Sequence, residues 1–427
     1  MQSLWNLRHS QFLKHNAIFF IGSVAVGALN YLYYPVLGRL LSPAGFGEVQ
    51  TLVSLFLQIG TFLSVFGLVT VNIVANYEDQ QKRNAIILEF EKLALTMALA
   101  FVALVLVFQG ALSDFLHFTS SWPFVLLALA ILMTVPLMFR NAFLRGRQAF
   151  GKASTGNIIA AAAKLVCSAA LVAIGLGTAG AIGGLILAQA IAWAYTAWAA
   201  AQLGLIALPG AKKGKLPNMK LLLPELKYGL LVLVGSLVIT IQYSLDIIIV
   251  KHFFDAHTAG LYAGIATVAR IIFFLTASIA QVLMPAVKLS NPSRENRRIL
   301  LKSMGLLMAV SLPVLLLFWV APSSIVGPLM GDAYTPLAHL LPLLSLTIFV
   351  ISLLNLFVSY YLSLRRIGIA VVALTGGIIT YILMFSHHDS LESVIQGLLM
   401  GSLSMLAALG VWLVSIKVKE QLWLRNS

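Results

Sequence analysis

The chain has 427 residues, of which 60% are hydrophobic and only 10% charged, with a mean hydropathy of +0.96. Soluble domains run nearer half apolar and a quarter charged, so the composition excludes a soluble enzyme and specifies an integral membrane protein. The net charge of +14 does not point to nucleic acid, because the basic residues recur at intervals between apolar runs, as topology signals do.

The opening segment MQSLWNLRHSQFLKHN is basic and amphipathic, and no small-residue cleavage site closes the apolar run after it. That run reads as a first spanning helix, not a signal peptide. A helix needs about 20 apolar residues to cross the hydrocarbon core. Runs of that kind lie at 16–38, 48–75, 93–112, 122–143, 155–176, 179–206, 226–250, 259–287, 300–320, 336–363, 367–386 and 391–416. GLGTAG marks a short turn between the fifth and sixth. Cys167, the only cysteine, rules out an intramolecular disulfide and leaves no thiol cluster for a metal. The outer connections are short; the longest, 321–335, is too small to fold as a domain. His387, His388 and Asp389 read as an outer loop, not as a metal corner.

Twelve spans put both termini on one side. With the N-terminus inside, all of the 28 Lys and Arg except Arg39, Lys164, Lys251 and Arg270 fall in cytoplasmic segments. This bias orients the chain in a cytoplasmic membrane with both termini cytoplasmic. The basic stretch RNAFLRGRQAFGKAS brings Arg140, Arg145 and Arg147 to the cytoplasmic interface. They could receive an anionic lipid headgroup, but the orientation rule alone accounts for them.

The segment LPGAKKGKLPNMK falls after the sixth span and divides the chain into a bundle over 1–208, a linker over 209–222 and a bundle over 223–427. The first outer turn, LLSPAGFGEVQTLVSL, has a counterpart in the second half, FFDAHTAGLYAGIATV; both place Ala-Gly just before a new span. The sequence therefore predicts an all-α polytopic membrane protein, with about twelve helices in two pseudo-repeated six-helix bundles around a central cleft.

Three stretches carry a family resemblance. GRLLSPAGFGEVQTLVSL, LRGRQAFGKASTGNIIAAAAKLV and DIIIVKHFFDAHTAGLYAGIATVARI resemble bacterial polysaccharide-biosynthesis membrane proteins. These are the oligosaccharide flippases of the multidrug/oligosaccharidyl-lipid/polysaccharide exporter superfamily. The resemblance implies alternating-access transport of lipid-linked sugar units from the inner to the outer leaflet. The lipid II flippases of that superfamily usually have two further helices, which this chain lacks.

Two cations lie deep in spans. Lys164 is 12 residues beyond Lys152 and Arg270 is 13 beyond His257, which puts each about 18–20 Å into a roughly 30 Å core. They belong to different halves, so a shared cleft could present both to a pyrophosphate. The competing account pairs Arg270 with Asp246 in the same hairpin. With the turn near residue 254, however, the two are about 10 Å out of register. The sequence therefore assigns Arg270 to the ligand. Asp246 reads either as an ion-coupling site or, preferably, as a residue solvated at the outer mouth. Arg39 and Glu48 flank the first outer turn as a gate or as an ordinary exposed pair. Asn30, Asn72, Gln242 and Asn355 are the polar side chains left to supply specificity.

These features predict a flippase for a polyprenyl-pyrophosphate-linked oligosaccharide, with membrane lipids and glycosyltransferases of the same pathway as partners and no cofactor. A multidrug antiporter of the same superfamily is the second reading, disfavoured because the deep charges are cationic. A glycan polymerase or ligase would need a long catalytic outer loop.

Overall fold

The computed structural model describes residues 22, 24–77, 79–205 and 219–426, with no side-chain placement for 219–228 or 416–426. The N-terminal basic segment, the start of the first span and most of the 209–222 linker lie outside the described residues. Every regular element among them is helical. That is the physical expectation in lipid, where each backbone N–H and C=O must find a partner within its own helix.

In chain order, α1 covers 24–40, followed by α2 (Pro43–Asn76), α3 (Gln80–Phe115), α4 (Trp122–Gly146) and α5 (Phe150–Leu171). A single π turn (Val172–Leu176) leads into α6 (Gly177–Ala201). Then come α7 (Met219–Phe253), α8 (Ala256–Ala269), α9 (Ile271–Ala286), α10 (Ser293–Val320) and α11 (Pro322–Met330). A 3-10 segment (Asp332–Leu340) precedes α12 (Leu341–Ser363), α13 (Gly368–Ser386) and α14 (Leu391–Asn426). Among the described residues nine helices are long and apolar enough to cross a membrane, ten if the bent pair α8–α9 is one span. The stretch Phe150–Ala201 passes that test as one element but is two helices folded back on each other. Dividing it, and adding α1, recovers the twelve predicted spans.

Corresponding helices in the two halves begin alike. Ser42 caps α2 by accepting a hydrogen bond from the Gly45 amide, with Pro43 at the first helical position. Asp255 caps α8 by accepting from the amides of His257 and Thr258, each at 3.0 Å. Such caps satisfy amides that have no partner inside the helix. The stretch 321–335, predicted as loop, instead holds α11 and the start of the 3-10 segment. Tyr334 there is buried against Gly264 of α8, where an added Cβ would lie 2.2 Å from the ring.

The chain divides into two compact units, Met1–Gly229 and Leu230–Ser427. Each ends its span series in a tight antiparallel hairpin. In unit 1 the α5–α6 turn uses Gly175 at φ +94°, a conformation that glycine adopts without steric cost. Across this hairpin Ser168 donates to the Ala181 carbonyl at 2.9 Å, and a Cβ at Gly184 would meet the Ser168 backbone at 2.3 Å. In unit 2 a Cβ on Gly401 of α14 would meet Thr380 of α13 at 2.4 Å. Small residues let helix backbones approach where lipid offers no hydrophobic drive for association. Unit 2 also packs Val238, Leu354, Ile369 and Met405 into one core, and Leu283, Leu307 and Leu356 into another. Large apolar side chains such as Val107, Leu316 and Ile378 stay exposed, as a lipid-facing surface requires.

Substituting leucine for Gly401 should force overpacking worth about 1–3 kcal/mol, lowering the thermal midpoint in detergent. The same change at Gly410, where an added Cβ meets nothing within 4 Å, should leave the midpoint unchanged.

Candidate functional site

In unit 2, helix geometry places Asp246 on α7 opposite the start of α8. Tyr262 lies as far beyond the outer turn as Asp246 lies before it, and its hydroxyl donates to Asp246 Oδ2 at 2.9 Å. Arg270 Nη2 donates to Asp246 Oδ1 at 2.6 Å, and Arg270 Nε donates to the Tyr243 carbonyl at 3.0 Å. The guanidinium also lies over the Tyr243 ring, 4.9 Å from its centroid. Tyr243 in turn packs against Phe273 at 4.6 Å. Asp246 is 0% exposed and Arg270 4%.

This corrects the assignment of Arg270 to a ligand as an uncompensated cation. The 10 Å offset counted Cα positions only. Side chains on a helix lean toward its N-terminus. The N-terminus of α8 is at the α7–α8 turn and that of α7 at the opposite end, so Arg270 leans toward that turn and Asp246 away from it, and they meet. A break reinforces this: α8 ends at Ala269 and α9 starts at Ile271, with a bend of 43°. Asp246 is likewise corrected. It is sealed rather than solvated at a mouth, and each of its oxygens accepts a hydrogen bond.

Unit 1 treats its deep cation differently. Lys164 Nζ on α5 donates to Asn30 Oδ1 on α1. It also lies 4.4 Å from the Tyr33 ring centroid and 5.9 Å from that of Tyr34. No ion pair among the described residues includes Lys164. Its contacts are an amide oxygen and two aromatic faces, which ease the burial of an ammonium without cancelling its charge. Sequence reasoning found Lys164 but missed its tyrosine platform. The cluster Asn30, Tyr31, Tyr33 and Tyr34 inside an apolar run was the available signal.

The remaining residues sort as follows. Glu48 does not pair with Arg39. It is buried near the start of α2, where Oε2 accepts from the Thr178 hydroxyl at 2.8 Å and Oε1 from the Thr119 amide at 3.2 Å and hydroxyl at 3.3 Å. Arg39 is exposed. The hydroxyls, distant in sequence, supply the donors that a buried carboxylate requires. Arg140 is paired within the protein: its Nη1 binds Glu91 Oε2 at 2.8 Å, bridging α4 and α3. Arg145 and Arg147 are exposed at the end of α4. Gln242 is spent on packing, donating to Thr380 and accepting from Ser402, each at 3.3 Å. His388 stacks on Phe253 at 3.6 Å.

A model of the family described as "Polysaccharide biosynthesis protein" matches residues 36–339, well over half of the chain. The chain belongs to that family. No curated protein sequence matches it. Among solved structures, it is similar to an inward-facing multidrug resistance MATE family transporter of the MOP superfamily, at 14% identity and a TM-score of 0.69, covering 94% of this chain and 99% of that one. It is also similar to the lipid II flippase MurJ in an inward closed conformation, at 14% identity and a TM-score of 0.67, covering 95% and 87%. A Vibrio cholerae MATE transporter matches at 14% identity and 0.58, covering 96% and 97%. This polysaccharide-biosynthesis chain thus has the polytopic all-α fold shared by MOP transporters and flippases.

Removing one partner of a buried ion pair costs about 3–5 kcal/mol. Asp246→Leu and Arg270→Met should each lower the thermal midpoint sharply. The double variant Asp246→Leu with Arg270→Met should recover much of the loss, because no buried charge is then left alone. A midpoint that falls additively in the double variant would show that the two residues are not coupled.

Proposed function

We propose that the chain is a flippase that moves a polyprenyl-pyrophosphate-linked oligosaccharide from the inner to the outer leaflet by alternating access. It would act in the cytoplasmic membrane with both termini inside, supplying surface polysaccharide synthesis alongside glycosyltransferases. The family supports the pathway, and the fold shared with MurJ supports movement of a lipid-linked substrate. The observation that carries the substrate class is Lys164, a cation in unit 1 whose partners among the described residues are all neutral. A bound pyrophosphate would supply the compensating charge that the protein withholds, and the aromatic faces would hold the ammonium in place meanwhile.

In this proposal Lys164 of unit 1 meets the headgroup while the lipid tail stays among the helices. Arg270 holds α7 to α8 through Asp246. It reaches substrate only if the ion pair opens, so Lys164 takes the first role and Arg270 the second. Transport by this route forms no covalent intermediate. Multidrug export is the second reading, supported by the MATE transporters that share the fold. Drugs recognised by charge in such sites are cations, and an uncompensated lysine repels them.

The test is surface glycan in a strain lacking its own flippase. Lys164→Gln should reduce display by about tenfold, the worth of one charge-assisted contact, and Lys164→Arg should retain much of it at equal protein level. Normal export by Lys164→Gln would sink the headgroup role. Failure of the wild-type chain to restore glycan, together with conferred drug resistance, would favour multidrug export.

A further inference from the structure

Near the end of unit 1 that carries the Gly204 turn, a second cation has no anion against it among the described residues. Arg83, in the first turns of α3, is 3% exposed, and its Nε is buried with no hydrogen-bond partner. It forms no ion pair among the described residues. The guanidinium carbon lies 5.7 Å from the Phe143 ring centroid. Arg147 caps α4 one helical turn beyond Phe143, its amide donating to the Phe143 carbonyl at 2.9 Å.

The nearby acids among the described residues are committed elsewhere. Asp79 caps α3 through the amides of Gln81 and Lys82 and lies 3.6 Å from Lys82 Nζ. Glu89 binds Lys92 and Glu91 binds Arg140, each at 2.8 Å. The first turns of α3 are also fixed in place. Gln80 Nε2 and Asn84 Nδ2 both donate to the Gly204 carbonyl, at 2.9 and 2.8 Å. Arg83 therefore starts from an anchored helix end and lies over the ring of Phe143, with Arg147 one helical turn beyond that ring on α4. Leaving such a donor unmatched is costly, and two like charges together raise that cost.

We propose that Arg83 and Arg147 form a phosphate-binding site for a lipid headgroup at this end of unit 1, with Phe143 orienting the Arg83 fork. Phosphate is the chemistry that fits: a planar guanidinium offers paired donors matching phosphate oxygens, and two of them match its charge. The depth agrees, because Phe143 closes the fourth predicted span and so lies where lipid phosphates lie. The phosphate could belong to a bilayer phospholipid or to a polyprenyl carrier. The site is separate from Lys164 and would stand if Lys164 held no substrate.

The test uses the purified full chain and native mass spectrometry. The probes are dioleoylphosphatidylglycerol, undecaprenyl phosphate and, as the uncharged control, dioleoylglycerol. Arg83→Gln and Arg147→Gln should each weaken binding of phosphate lipid by about tenfold, with Arg83→Lys intermediate. Equal loss for both phosphate lipids assigns the site to bilayer phospholipid; loss confined to undecaprenyl phosphate assigns it to the carrier. Arg147 is exposed, so its variant keeps the test decisive even if Arg83→Gln does not fold. Unchanged phosphate-lipid binding in Arg147→Gln, or wild-type protein that takes dioleoylglycerol as readily as phosphatidylglycerol, would overturn the site.

Discussion

A charged side chain within hydrocarbon costs several kcal/mol unless something offsets it, and the polar architecture of this chain follows from that constraint. Unit 2 offsets it internally. Arg270 and Asp246 cancel each other, Tyr262 and the Tyr243 carbonyl take further hydrogen bonds, and the cluster is sealed. Unit 1 leaves its deep charge standing, cushioned by Asn30 and two tyrosine faces. The first arrangement is one expected of a structural joint. The second leaves electrostatic demand for a ligand.

The joint also explains the local backbone. The helical path breaks at Arg270, and the side chain at the break ties back across α7 at two levels, Tyr243 and Asp246. Tyr334, packed into the space that Gly264 leaves open, supports α8 from the other side. Breaks of this kind survive in membranes only where protein groups take up the exposed polar atoms.

The spans were legible in the sequence because a membrane helix needs a long apolar run, a requirement that composition alone exposes. Even the fifth and sixth spans could be divided, since GLGTAG supplies the positive-φ glycine of their turn. The two cations inside helical spans were found by counting residues. Direction was not. Counting Cα positions placed Arg270 and Asp246 at different heights, and only the opposed lean of side chains on antiparallel helices brought them together. Nor could sequence show that Glu48 would find Thr119 and Thr178, or that Arg140 would find Glu91. Those contacts join residues 71, 130 and 49 positions apart. Local pattern carries no information about which distant polar group will supply the partner.

The central claim is that the positive charge at residue 164, and not merely its size, moves the substrate. It is tested by placing Lys164→Cys in a Cys167→Ser background and reconstituting it in proteoliposomes with polyprenyl-pyrophosphate-linked oligosaccharide. The introduced thiol is then modified either with a reagent that adds an ammonium or with one of similar size that adds a sulfonate. Restoring the positive charge should restore flipping, and adding the negative charge should leave it abolished. Equal flipping after both modifications would contradict the account.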